Sequence, residues 1–124
     1  MTLGATVTFI QTRDGGKALA FYRDVLGLEH AGFDGFAHVF KLGGAVLRVT
    51  ELPDWTPGPH PALGWNVASM TGAIAALKAR GVAFLIYPGM GMEADGFWTA
   101  PGGAAKVAWF NDPDGNLLSL TEAG

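Results

Sequence analysis

The sequence predicts an α+β fold of two tandem β-α-β-β-β units, because the chain states one pattern twice and lengthens it once. Asp14 precedes a helical segment, Lys17–Leu26, that stops at Gly27; Ser69 precedes a second, Gly72–Arg80, that stops at Gly81. Ser69 follows Asp14 by 55 positions, and Gly81 follows Gly27 by 54. Two later glycine-centred hairpins, at Gly44 and Gly115, lie 71 apart, so the second unit carries about 16 extra residues, which fall in Tyr87–Gly103. A repeat of this kind is one supersecondary unit used twice, and it decides the architecture before any single motif does.

Each element has a local reason. Ala5–Thr12 is β-branched and apolar, and reads as the first strand. Asp14 can cap the helix that follows, in which Ala18, Tyr22, Val25 and Leu26 share a face at helical spacing. Gly27 suits the left-handed position just beyond a helix. Glu29–Phe33, Phe36–Leu42 and Ala45–Glu51 follow as strands, separated by the tight-turn pairs Asp34-Gly35 and Gly43-Gly44. Leu52–Pro61 holds four prolines in ten residues and reads as a stiff linker. The second unit then repeats the order: a strand over Ala62–Val67, the helix, a strand over Val82–Ile86, the long loop, and strands over Ala105–Asn111 and Leu117–Thr121. Asp112-Pro113-Asp114-Gly115 joins the last two with turn chemistry at each place.

At 124 residues this is one domain, with module one at about 1–52, a linker at 53–61 and module two at about 62–124. Apolar residues make up 49% and charged residues 15%, which excludes disorder and leaves surface to bury, for which a homodimer interface is the expected outlet. The net charge of −3 and the lack of a basic run argue against nucleic acid. With no cysteine, disulfide scaffolds, thiol catalysis and cysteine-type zinc sites are excluded. The N-terminus lacks a basic region and an apolar signal core, and a cytoplasmic protein is expected. Trp55–Leu77 is uncharged apart from His60, but its prolines and Asn66 rule out a membrane span.

Three stretches carry a family resemblance: Phe21–Glu29 (FYRDVLGLE), Val107–Asn116 (VAWFNDPDGN) and, in support, Ala73–Val82 (AIAALKARGV). In this order, with the internal repeat, the chain resembles the vicinal oxygen chelate superfamily, which includes glyoxalases, extradiol dioxygenases, fosfomycin-resistance transferases and bleomycin-resistance proteins. The resemblance implies two modules whose sheets curl around a shared cavity with helices outside. It also implies, for the enzymes of the group, a metal held by His, Gln or Glu on the first and last strands of each module. Counted from the helix caps and hairpins, those positions fall on Val7, Arg48, Ala62 and Ser119, none of which is a competent ligand by residue type beyond a weak serine. Glu51 and Glu122 lie three residues past the expected positions, an odd displacement that puts them on the opposite strand face. His60 keeps the right face but sits among the linker prolines.

Strand alternation then sorts side chains. Ile10, Leu47, Val49, Leu63, Trp65, Val67, Leu118 and Leu120 share the parity that faces the helices. The other parity gives Val7, Phe9, Gln11, Val46, Arg48, Thr50, Gly64, Asn66, Ser119 and Thr121, a polar and open set suited to a wet pocket. Arg48 has two readings: a planar fork for a ligand carboxylate or phosphate, or a partner for an internal acid. Gln11 and Asn66 either orient a ligand or end their strands in water. The long loop carries Met90, Met92, Phe97 and Trp98 among five glycines, which suits an adaptable lid over an apolar ligand; the other reading is a dimer contact or a small satellite core. Trp55 and Trp109 can add aromatic wall, with core packing the expected role of Trp109. His30 and His38 receive no role. No nucleophile stands beside a base, and no phosphate-binding loop opens a helix.

The expected protein is a binder of the glyoxalase/bleomycin-resistance type, with no cofactor or metal, that sequesters or carries an aromatic or amphipathic ligand with an anionic group. Its ligand-binding residues would be Phe9, Gln11, Arg48, Thr50, Asn66, Met92, Phe97, Trp98 and Ser119. The alternative is a glyoxalase-like lyase or isomerase, or an extradiol-dioxygenase-like metal enzyme with atypical ligands.

Overall fold

In a computed structural model, which describes residues 1–123, the chain divides into two compact units, Met1–Pro57 and Gly58–Gly124. Each unit is a four-stranded mixed sheet with a helix on one face, so the class is α+β.

In the first unit, β1 (Thr6–Thr12) is followed by α1 (Gly15–Leu19), and then by β2 (Glu29–Phe33), β3 (Ala37–Lys41) and β4 (Ala45–Glu51) in the sheet order β1-β4-β3-β2. β1 and β4 are parallel, and the other neighbours are antiparallel. Asp14 caps α1 as its residue type dictates, accepting the N–H groups of Gly16 and Lys17, each at 3.1 Å. The expected single helix is in fact two pieces. After α1 the chain winds wider through a π-helical turn, Ala20–Val25, with Leu26 N–H bonded to the Phe21 carbonyl at 3.0 Å. That winding buries Phe21 together with Ala18 and Tyr22, while Val25 and Leu26 stay half-exposed. Gly27, at φ 73°, then lets Leu28 N–H return to the Tyr22 carbonyl at 3.0 Å. Ile10, Phe40, Leu47 and Val49 complete the core beneath the helix.

The second unit holds β5 (Pro61–Asn66), α2 (Met70–Ala79), β6 (Trp98–Thr99), β7 (Ala105–Asn111) and β8 (Leu117–Ala123), in the matching order β5-β8-β7-β6. Ser69 caps α2 through Gly72 N–H at 3.2 Å, and Met70, Ile74 and Leu77 form its buried stripe. The asymmetry lies at the edge beside β7. The strand expected over Val82–Ile86 is a single bridge, Phe84 opposite Phe110, with Leu85 N–H on the Trp109 carbonyl at 2.8 Å. Further along β7, the same edge is taken up by β6, at the far end of the insertion. Gly96 permits this return: its φ is 108°, and a Cβ there would stand 2.7 Å from the Cβ of Phe84. The β7–β8 turn is buried and polar. Asp112 Oδ1 accepts the N–H groups of Asp114 and Asn116, each at 2.9 Å, and its Oδ2 accepts the Asn116 side-chain amide at 2.8 Å.

Candidate functional site: the open sheet faces

Each sheet has one face under its helix and one face away from it, and alternation assigns the side chains between them. On the open face of the first sheet one row runs Phe9, Arg48, Val39, Gly32, each residue in register with the next. Gln11, Thr50 and Ala37 form the neighbouring row. Phe9 is 56% exposed, so this face is not a packed core.

Arg48 does not stand alone. Its Nη2 donates to Asp34 Oδ2 at 2.5 Å. Asp34 sits in the β2–β3 turn, where its other oxygen accepts the N–H groups of Phe36 and Ala37 at 3.0 and 2.9 Å. The Ala37 N–H, the Arg48 guanidinium and the Phe36 N–H, in that order, hold the Asp34 carboxyl down at about 2. Of the two readings of Arg48, the structure realises the internal acid. A shallow groove of about 270 Å³ lies beside this pair, lined by Ala31, Gly32, Phe33, Asp34 and Val39.

On the second sheet the matching row is Gly64, Ser119, Trp109. Gly64 has no side chain, and the Ser119 hydroxyl takes the space where its Cβ would be; the Ser119 carbonyl would lie 3.1 Å from that Cβ. Trp109 is half-buried on this open face rather than in the core, a correction to the expected role. Tyr87 meets it edge-on with ring centroids 5.6 Å apart, and Trp98 is a second ring neighbour at 6.4 Å. Asn66 faces Thr121 at the end of β5 and is exposed.

The far end of the insertion is therefore part of the sheet. Trp98 belongs to β6, opposite Val107. Phe97, one residue earlier, lies on the helix side, its ring 5.7 Å from Lys106 Nζ, so it does not join Trp98 in one site. Met92 turns back within the loop, its sulfur accepting Tyr87 N–H at 3.3 Å. The row and flank residues that sequence reasoning missed are Asp34, Val39 and Tyr87; it offers Trp109 as aromatic wall but expects it in the core. For Trp109 a signal existed, since counting back from the Asp112–Gly115 turn places it opposite Ser119. Nothing marked Tyr87 or Asp34, whose partners depend on loop paths.

The four positions where the resemblance implies metal ligands do not fit a metal. Val7 pairs with Val46, Arg48 is a cation held by Asp34, Ala62 lies in the irregular β5–β8 register between Pro61 and Leu63, and Ser119 closes over Gly64. Glu51 and Glu122 indeed point the other way: Glu51 accepts Gly15 N–H at 3.2 Å and Glu122 accepts Met70 N–H at 2.6 Å, each at the start of its helix. Among the described residues no group of three or more His, Cys, Asp or Glu is placed to hold a metal ion.

Comparison with known proteins gives the same fold. The family model for the Glyoxalase/Bleomycin resistance protein/Dioxygenase superfamily matches residues 4–120. Among solved structures, the fosfomycin resistance protein FosX from Listeria monocytogenes has a TM-score of 0.78 at 17% identity, covering 100% of this chain and 96% of that one. A glyoxalase/bleomycin resistance protein from Catenulispora acidiphila has a TM-score of 0.73 at 22% identity, covering 98% and 100%. A lactoylglutathione lyase from Agrobacterium tumefaciens has a TM-score of 0.72 at 18% identity, covering 98% and 95%. At these identities the likeness establishes the fold alone. No curated protein is detectably similar to the chain.

Proposed function

The chain belongs to the glyoxalase/bleomycin resistance protein/dioxygenase superfamily, and from that premise we propose that it is a small-molecule-binding protein that holds an aromatic or amphipathic ligand without a protein-bound metal. The observation that carries this reading is the aromatic wall on the open face of the second sheet. Tyr87, Trp109 and Trp98 are consecutive ring neighbours beside the Ser119 hydroxyl. Partly exposed aromatic rings offer apolar area with little side-chain entropy to lose, and one nearby hydroxyl supplies orientation. Sequestration or carriage of the ligand, in the cytoplasm and by a homodimer, completes the reading. None of the described helices is long and apolar enough to cross a membrane.

The anionic group expected on the ligand is not retained, since Asp34 already supplies the anion that Arg48 would recruit. The enzyme alternative that uses a metal finds no support in the donor set at Val7, Arg48, Ala62 and Ser119. A screen of aromatic compounds and natural-product antibiotics by tryptophan fluorescence and thermal shift tests the proposal. Trp98→Ala and Trp109→Ala should each weaken a hit by about 1–3 kcal/mol. A hit whose affinity survives both changes would remove the aromatic wall from the argument. Stoichiometric Zn, Fe, Mn or Ni held by side chains in protein purified without chelator would remove metal independence.

A further inference from the structure

We infer that the helix side of the first sheet carries a copper(II) site made by His30 and His38. It lies on the opposite face of that sheet from Phe9 and Arg48. It takes an ion rather than a ring, and it goes beyond the proposed function without resting on it.

A bulge brings the donors together. His30 pairs with Phe40, and Phe33 pairs with His38, so two β2 residues three apart share a face that strict alternation would deny them. The irregularity between His30 and Gly32, with Gly32 at φ 142°, absorbs the extra residue. As a result His30 Nε2 stands 3.1 Å from His38 Nδ1. Each ring is backed by a phenyl group: His30 lies 5.1 Å from Phe40, which is buried, and His38 lies 4.9 Å from Phe33. Both imidazoles are half-buried, packed on one side and open to solvent on the other.

Distance and charge select the ligand. Two imidazole nitrogens on one ion, at bonds of about 2.0–2.1 Å and an angle between about 90° and 110°, stand about 2.8–3.4 Å apart. The observed 3.1 Å falls inside that range, so a metal ion can take the place of the proton between the rings. Imidazole binds metal in its neutral form, and burial, then the charge of His30, already disfavour a proton on His38. The other nitrogen of His38 faces Gly15 and Glu51: a Cβ on Gly15 would lie 3.8 Å from His38 Nε2 and 4.0 Å from the Glu51 carboxyl carbon. The Glu51 charge favours a cation beside His38; Arg23 opposes it but is paired with Asp24 at 2.7 Å. Two nitrogens with water in the remaining positions are too few for structural zinc, which takes four ligands. They suit tetragonal Cu(II), which heads the affinity order of the divalent first-row ions. Held by only two side chains, the ion exchanges with solution and has to be supplied.

The test titrates copper(II) sulfate alone into isotope-labelled full-length protein at neutral pH. Paramagnetic Cu(II) broadens the signals around it. The ring signals of His30 and His38 should vanish together by one equivalent, while those of His60, the third histidine of the chain, persist. Electron paramagnetic resonance of the same sample should count two coordinated nitrogens. His30→Gln and His38→Gln each leave one imidazole and should weaken binding by about a hundredfold, the loss of the second, intramolecular donor. His60→Gln should bind as the parent does. Amide spectra report whether each variant is folded, and the nitrogen count in the parent stands without them. The inference is overturned if His60 or the Met1 amine broadens first, if one nitrogen is counted, or if a folded His30→Gln or His38→Gln binds copper like the parent. Each of these outcomes leaves the aromatic wall of Tyr87, Trp109 and Trp98 untouched.

Discussion

Each sheet has a row of residues at the equivalent place, and the two rows carry opposite chemistry. In the first unit it reads Phe9, Arg48, Val39; in the second it reads Gly64, Ser119, Trp109. Gly64 lies 55 positions after Phe9 and Ser119 lies 71 after Arg48, the same two spacings that relate the helices and the hairpins. Bulk sits on the first strand of one unit and on the third strand of the other, and a cation on the last strand is replaced by a small hydroxyl. The helix sides, in contrast, are nearly duplicates. Asp14 and Ser69 cap the helices, Glu51 and Glu122 bind the first helical N–H, and Gly27 and Gly81 end each helix at positive φ. Packing holds the helix side to one solution, because the interior tolerates little change in volume. The open faces carry no such constraint, and there the two units part company, as recognition surfaces on a shared scaffold do.

The largest expected effect tests how the insertion is anchored. Gly96→Ala combines a left-handed backbone with a contact that would stand 2.7 Å from Phe84 Cβ. It should cost about 2–4 kcal/mol of stability, through strain and forced displacement of Phe84. Gly32→Ala on the first unit's edge strand shares the positive φ, at 142°, but meets nothing within 4 Å. Its loss should stay near ~1 kcal/mol, the backbone part alone. Denaturant midpoints of the two variants check the difference. Equal losses would mean that the return of the chain beneath Phe84 does not contribute to folding.

A smaller effect separates the two acidic helix contacts. Glu122 accepts its helical N–H at 2.6 Å with a side chain 24% exposed, whereas Glu51 does so at 3.2 Å from an exposed position. Glu122→Ala should therefore cost about 1 kcal/mol and Glu51→Ala a few tenths, within the range of helix-terminal contacts. Equal costs in the two variants would show that the duplication is energetic as well as geometric.

Most of the fold was legible because it rests on local rules. The caps at Asp14 and Ser69, the stop at Gly27, the Asp112–Gly115 turn and the alternation of β4 and β8 each follow from a residue type and its neighbours. Parity also placed Glu51 and Glu122 correctly on the helix side. What failed depended on chain paths that no local rule sets. Val82–Ile86 is β-prone, but an edge of β7 can be filled by any segment that reaches it, and the insertion brings Trp98–Thr99 there. Arg48 was visible as a cation on an open face, but its partner Asp34 arrives from the β2–β3 turn, fourteen residues earlier in sequence. Flexible composition likewise does not reveal that the insertion ends in a strand, as it does at Trp98–Thr99.

The smallest effect is electrostatic and belongs to the first unit, since no strand of the second carries a histidine. His30 Nε2 and His38 Nδ1 lie 3.1 Å apart, so one proton at most can sit between them. Burial, then the charge of His30, lower the pKa of His38 below its usual 6.5; Glu51 opposes this and Arg23 adds to it. The folded protein then binds fewer protons than the unfolded chain just below pH 6.5, so stability is lost as pH falls through that window and regained as it rises. His30→Gln keeps a hydrogen-bonding partner but removes the like charge, the second of the two leading causes, and should make that slope shallower without abolishing it. Asp34 acts in a separate window, with stability present above 3.8 and lost as pH falls toward about 2, and Asp34→Asn should remove only that lower slope. Denaturant midpoints measured across both windows distinguish the two. A slope near neutrality that is unchanged in His30→Gln would mean that burial of His38 alone, without the pair, governs the response.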